Sequence, residues 1–238
     1  KVYNTSIDSE WKLFQDTIDI SSSIINPTAF SSKVKKGWYG GLCSAQGMIG
    51  TIDNQTGLVT ILKDDEKIYQ FVSDLTEKIS FSMDGRYIVL SGTTSISGKK
   101  RNTIKIYDLI HKQYIKTPII GLRDGAIVTL SDNSKVLIGV ETVSQKSAIV
   151  SIPFEEIEKG KISTRTYLSF FDVNIIPFSL EDAGNNSFVY FLKDKQEWSI
   201  IVNDFLHNSE KKYYLKDDAF VPQSLSVADS KLYISCVF

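Results

Sequence analysis

The stretch KISFSMDGRYIVLSG, residues 78–92, reads as strand, polar turn, strand. Ile, Phe, Tyr, Val and Leu fill its two arms, and Met-Asp-Gly-Arg divides them. The pattern returns as AIVTLSDNSKVLIGV at 126–140, PFSLEDAGNNSFVYFL at 177–192 and PQSLSVADSKLYISCV at 222–237. With Ser82, Leu130, Leu180 and Val227 as matching points, the copies lie 48, 50 and 47 residues apart. Two positions after each comes an aspartate read as a turn residue: Asp84, Asp132, Asp182 and Asp229. Aspartate suits a turn because its carboxylate bonds nearby backbone N–H groups. A fixed period of this length in short, turn-divided strands marks a propeller or a solenoid.

Working outward, each hairpin is followed by a second pair of strands. Residues 102–117 supply one such pair, 147–152 with 161–168 another, and 198–205 with 211–215 a third. An earlier unit spans 41–72. Four antiparallel strands per unit make a propeller blade. The last unit stops after two strands, which would leave an open edge. Residues 1–7 and 10–16 have the pattern of the missing third and fourth strands. The expected fold is therefore all-β: one domain over 1–238, a β-propeller of four-stranded antiparallel blades. Five blades are expected, closed by N- and C-terminal strands sharing a blade. In that arrangement residues 1–7 lie beside 231–236, with 10–16 outside them. Residues 17–37 fit no unit, and extra strands there would make six blades. One short helix is expected, at PFEEIEK, 153–159. Closure would also bring Cys236 toward Cys43. A disulfide between them and two free apolar cysteines are both open readings.

Composition narrows the function. The 238 residues carry 27 Lys+Arg against 28 Asp+Glu, so no net field draws the chain to nucleic acid or an anionic membrane. Two histidines exclude a three-histidine zinc centre, and two cysteines exclude a four-cysteine one. No apolar run reaches the roughly 18 residues of a membrane-spanning helix, so no membrane insertion is expected. The chain begins at Lys1 rather than Met. That is read as processing or trimming from a longer protein. Removal of a signal peptide would favour a secreted or periplasmic location.

FSMDGRYIVLSG at 81–92, followed by NTIKIYDL at 102–109, resembles the WD40-like and YVTN-type β-propeller repeats. Met83 stands where Pro is usual, and Tyr107-Asp108 where Trp-Asp is usual. The resemblance implies a protein-interaction platform. Similar-looking five- and six-bladed propellers include glycosidases, lectins and nucleotidases, but no catalytic residue carries over. The expected function is a non-catalytic module that binds a protein or peptide through its loop face. The alternative is a propeller hydrolase or sugar-binding protein using loop carboxylates near a central channel.

The candidate binding residues follow from that face. Loops leading into the first strands carry Glu77, Arg123, Asp124, Asp172 and Asp218. Asp124 is the first choice for a ligand- or Ca2+-facing carboxylate. Such groups suit paired-carboxylate hydrolysis or oxygen ligation, and they equally suit ordinary turns. No cofactor is otherwise expected. Lys99, Lys100 and Arg101, read as part of a long loop, put three cations side by side for an acidic partner or a phosphate. A basic run without interleaved aromatics is a poor nucleic-acid platform. Trp38, beside Tyr39, is the aromatic best placed to stack on a glycan or other small ligand. His111 and His207 fall in exposed turns with no nucleophile beside them.

Overall fold

A computed structural model describes residues 12–15, 28–31, 41–53, 56–63, 66–73, 76–115, 118–143, 146–162, 166–171, 174–175, 179–194, 197–214, 221–228 and 231–237. Strands dominate. The chain opens with β1 (Lys12–Gln15) and β2 (Thr28–Ser31). A first sheet follows: β3 (Gly41–Ala45), β4 (Met48–Asp53), β5 (Leu58–Lys63) and β6 (Glu66–Val72). The second contains β7 (Thr76–Phe81), β8 (Tyr87–Ile96), β9 (Lys99–Asp108) and β10 (Gln113–Tyr114), with β11 (Ile119–Ile120) also on the β9 edge. The third is β12 (Leu122–Thr129), β13 (Lys135–Val143), β14 (Lys146–Pro153) and β15 (Thr166–Phe171). The fourth has a first strand in two pieces, β16 (Asn174–Ile175) and β17 (Glu181–Gly184), then β18 (Ser187–Asp194), β19 (Glu197–Asp204) and β20 (Ser209–Tyr214). The last pairs β21 (Val221–Ala228) with β22 (Lys231–Val237), and β22 with β1 and β1 with β2. The expected helix is α1 (Phe154–Glu158). Its first turn holds Glu155 and Glu156 at the positive end of the helix dipole, and Gly160 at φ 71 follows its end. Among the described residues no helix is long and apolar enough to cross a membrane.

Both ends of the chain thus enter one sheet, but with other strands than expected. Phe14 faces Ile234, so residues 12–15 lie directly beside β22 instead of outside it. The outer position belongs to β2, from the stretch that fitted no unit. Local alternation is equally good in 1–7, 10–16 and 28–31, so it cannot choose the register. Residues 1–7 lie outside the described residues. A second correction concerns Asp182. It is on β17, opposite Phe188, and the turn is made by Asn185 and Asn186 at φ 48 and 64. A two-residue hairpin that follows the strand twist needs left-handed backbone twice, and asparagine tolerates it.

Period-2 alternation explains the packing. Successive side chains leave opposite faces of a strand. On β8, Ile88 and Leu90 enter one core with Ile52 and Ile61 of the first sheet, while Tyr87 and Val89 enter another with Leu137 of the third. On β18, Phe188 and Tyr190 pack toward the third sheet, while Val189 and Phe191 pack toward Leu225 of the last. Sheets covered on both faces need nearly continuous apolar strands, which is what YIVL and FVYFL supply. Phe81, Ile127, Val128 and Leu225 are buried in these cores between sheets. Gly125 opposes Gly139 within the third sheet, and Gly125 also meets Ile104 of the second. A Cβ on Gly125 would collide with Ile104, and one on Gly139 would lie 2.6 Å from Leu122 Cδ1. Gly125→Ala is expected to cost about 1–3 kcal/mol, as overpacking does, measured by urea unfolding.

The β8–β9 hairpin outgrows its sheet. β7 accompanies β8 only as far as Gly92, and β11 accompanies β9 only as far as Thr103. Residues 93–102 continue as a two-stranded arm, Thr93 opposite Asn102 through Ile96 opposite Lys99. Ser97 and Gly98, at φ 50 and 75, form its tip. The GKKRN segment expected as loop is therefore largely strand.

Candidate functional site

The first strands of three sheets meet at a buried ion cluster. β7 and β12 each carry one extra residue against their neighbour, Glu77 in one and Arg123 in the other. A bulge re-aims the side chain that follows it. The residues that follow are Lys78 and Asp124, both turned inward. Lys78 Nζ lies 3.1 Å from Asp124 Oδ1 and 2.9 Å from Glu181 Oε1 on β17.

These side chains also repair the broken first strand of the fourth sheet. Leu180 sits in the interruption before β17. Its N–H donates to Asp124 Oδ2 at 2.9 Å, and its carbonyl accepts from Lys78 Nζ. The Gly125 N–H donates to Asp124 Oδ1 at 2.8 Å. Arg123 donates to the carbonyl of Ile175, the last residue of β16, and to Ser147 Oγ at 3.3 Å. Ser179 Oγ accepts the Phe191 N–H at 3.1 Å, where a strand carbonyl would otherwise serve. Buried backbone groups need partners, and side chains from two other sheets provide them.

One cation stands between two carboxylates. Burial works against the charge on Lys78, but Asp124 and Glu181 outweigh it and hold the ammonium above its ordinary range. Burial raises Glu181 and outweighs the attraction of Lys78, with Asp124 and Asp182 adding their repulsion. Asp182, one residue on, is pushed up to about 6, chiefly by burial, against the pull of the Gly184 N–H on its Oδ1 at 2.9 Å. The Thr129 N–H adds to that pull, and Oδ2 is buried away from solvent.

The proposed binding residues separate into three groups. Asp124 is 0% exposed and lies on β12 rather than in a loop, its oxygens engaged by Lys78 and two backbone amides. Arg123 is half-buried at the bulge of β12, while Glu77 is exposed at the bulge of β7. Lys99, Lys100 and Arg101 are exposed on the arm. Asp172, Asp218 and Trp38 lie outside the described residues, as do the side chains of Cys43 on β3 and Cys236 on β22. Among the described residues, no group of three or more His, Cys, Asp or Glu side chains is placed to hold a metal ion. Lys78 and Glu181 did not stand out in the sequence, and Asp182 was read only as a turn residue. Lys78 and Asp124 are 46 residues apart, close to the repeat spacing, and that equivalence was the available signal.

The two histidines belong to matching turns. In DLIH, 108–111, the Asp108 carboxylate accepts the Ile110 and His111 N–H groups at 2.8 and 3.1 Å and lies 2.9 Å from His111 Nδ1. In DFLH, 204–207, Asp204 does the same for Leu206 and His207. Asp108 also takes Arg86 at 2.9 Å. Burial opposes its charge, but Arg86, His111 and the two amides hold the carboxyl at about 2. Asp108→Ala is expected to cost about 1–2 kcal/mol in urea unfolding near neutral pH. The difference from wild type should shrink only as pH falls from about 4 toward 2, where Asp108 itself protonates.

No protein family and no curated protein matches the chain in sequence. Solved structures do match in shape. TolB from Acinetobacter baumannii aligns with a TM-score of 0.53 at 11% identity, over 95% of this chain and 64% of that one. Hydrazine synthase from Kuenenia stuttgartiensis gives 0.51 at 12%, over 88% and 64%. The uncomplexed acylaminoacyl peptidase from Pyrococcus horikoshii gives 0.53 at 10%, over 95% and 43%. The fold is that of a β-propeller. The chain spans less than two thirds of each of these proteins. At such identities the likeness carries the fold and no activity.

Proposed function

We propose that the chain is a non-catalytic binding module that recognises a protein or peptide through the face bearing the β8–β9, β13–β14 and β18–β19 connections. In this reading the five sheets are five blades, and the sheet joining the two chain ends closes the ring. In support, the first strands β3, β7, β12, β17 and β21 touch in cyclic order, β21 reaching back to β3. WD40-like kinship, suggested by residues 81–109, fits the same reading.

The observation that carries the function is the filled axis. Lys78 crosses from the second blade to Leu180 and Glu181 of the fourth, passing Asp124 of the third. Two carboxyl groups that hydrolyse a glycoside face a substrate roughly 5–9 Å apart. Asp124 and Glu181 instead face one lysine inside the protein. A partner is then met on the face of the ring, not in its channel. The test presents acidic, basic and neutral strand-forming peptides, together with oligosaccharides, to immobilised protein. Saturable binding of intact peptide is expected. Cleavage of any of these ligands, or failure of every peptide to bind, would overturn the reading.

A further inference from the structure

We propose that the β8–β9 arm docks an acidic, extended protein segment, with carboxylates of that segment against Lys99, Lys100 and Arg101. This rests on the binding-module reading and names the partner's chemistry. Several cations of the described residues are committed to acids: Lys78 to Asp124 and Glu181, Arg86 to Asp108, Lys135 to Asp84, Lys159 to Glu155. The arm is different. Residues 93–102, TTSISGKKRN, contain three cations and no acid. The residues opposite the cations are Ile96, Ser95 and Thr94. All three basic side chains are exposed, and among the described residues none meets a carboxylate. Unbalanced like charges on adjacent positions repel one another, and an incoming anionic partner relieves that repulsion.

The arm's geometry favours an extended partner. On a strand, Lys99 and Arg101 leave one face and Lys100 the other. A partner strand alongside β9 alternates in the same way, so consecutive acids reach cations on both faces. A flat acidic surface reaches one face only. The backbone is also in phase for such pairing. The Asn102 carbonyl points out of the arm and accepts the Gly121 N–H at 2.9 Å. In an antiparallel pair alternate residues point the same way, so the N–H and C=O of Lys100 point out from that edge. β11 stops short of it. An open edge with pockets or charges for alternate side chains is the usual platform for strand addition.

The probe is a short Thr/Val peptide with Glu-Asp-Glu at its centre, titrated into the full chain at low salt and followed by fluorescence anisotropy. A second peptide of the same composition has its acids at alternate positions, so they fall on one face. Neutralising the arm with Lys99→Ser, Lys100→Ser and Arg101→Ser should weaken the first peptide about tenfold or more while leaving the melting temperature unchanged. The spaced peptide should bind wild type more weakly than the first, and added salt should weaken both. Undiminished binding by the triple variant, equal affinity for the spaced peptide, or tighter binding of a single-stranded RNA of equal charge would each overturn the proposal. If the acidic peptide fails while other peptides of the panel bind, the arm proposal falls and the binding module stands. If none binds, both fall.

Discussion

Lys78→Met is expected to cost about 3–5 kcal/mol of stability in urea unfolding, the loss typical of breaking a buried ion pair from one side. The substitution keeps the length of the stem and removes only the charge and its donors. Asp124 and Glu181 are then left facing each other, and the Leu180 carbonyl loses its partner. The pH dependence identifies the cause. In the wild type the Lys78 ammonium persists to well above neutral pH, because its folded pKa lies above the ordinary value of 10.5. In the variant Glu181, already raised by burial, loses the opposing pull of Lys78 and binds its proton more tightly still. Its cost is absent in acid and grows as pH rises, so the gap between variant and wild type should widen with pH. Adding Glu181→Gln should recover part of the loss, since one of the two uncompensated charges is removed. A loss below about 0.5 kcal/mol, the size of an exposed lysine's contribution, would show that Lys78 does not bridge the blades.

Asp182→Asn should act in the opposite direction. The folded carboxyl titrates at about 6 against an ordinary 3.8. Well below pH 3.8 it is protonated in both states and costs nothing. As pH rises through 6 the folded protein must accept a buried charge that the unfolded chain carries freely. The roughly two-unit gap corresponds to about 3 kcal/mol lost above pH 7. Asparagine presents no charge, so the variant should be more stable at pH 8 by up to that amount and near wild type at pH 4. Paired denaturation curves at the two pH values check it. Equal stability at pH 8 would show that the Gly184 and Thr129 N–H groups offset the burial of the charge.

Strands were legible because apolar alternation and turn residues are local. Residues 41–45, 58–63 and 103–107 needed no knowledge of their neighbours. The ion cluster was not legible, because nothing near Lys78 announces a buried ammonium. It opens an ordinary amphipathic strand, its acceptors lie 46 and 102 residues away, and a bulge at Glu77 turns it inward. Asp124 was noticed as a mouth carboxylate, but burial depends on how closely three sheets approach. GKKRN, residues 98–102, was taken for loop because it has no apolar face. Its strand character comes from the pairing of residues 93–96 with residues 99–102 across Ser97-Gly98, a turn that could have been read. Asp182 was misplaced because the repeat was matched on spacing alone, while the neighbouring Asn-Asn pair holds the turn.

Lys78 joins units that are not neighbours. Repeat architectures are ordinarily modular: each unit contacts the next, and copies can be gained or lost with little change to the others. A side chain on the second unit that completes the backbone of the fourth, beside an acid from the third, removes that freedom. Excising any of the three strands its partners. Duplication or deletion of any of these three units would therefore break the cluster, whereas changes in a surface extension such as the arm would leave it intact.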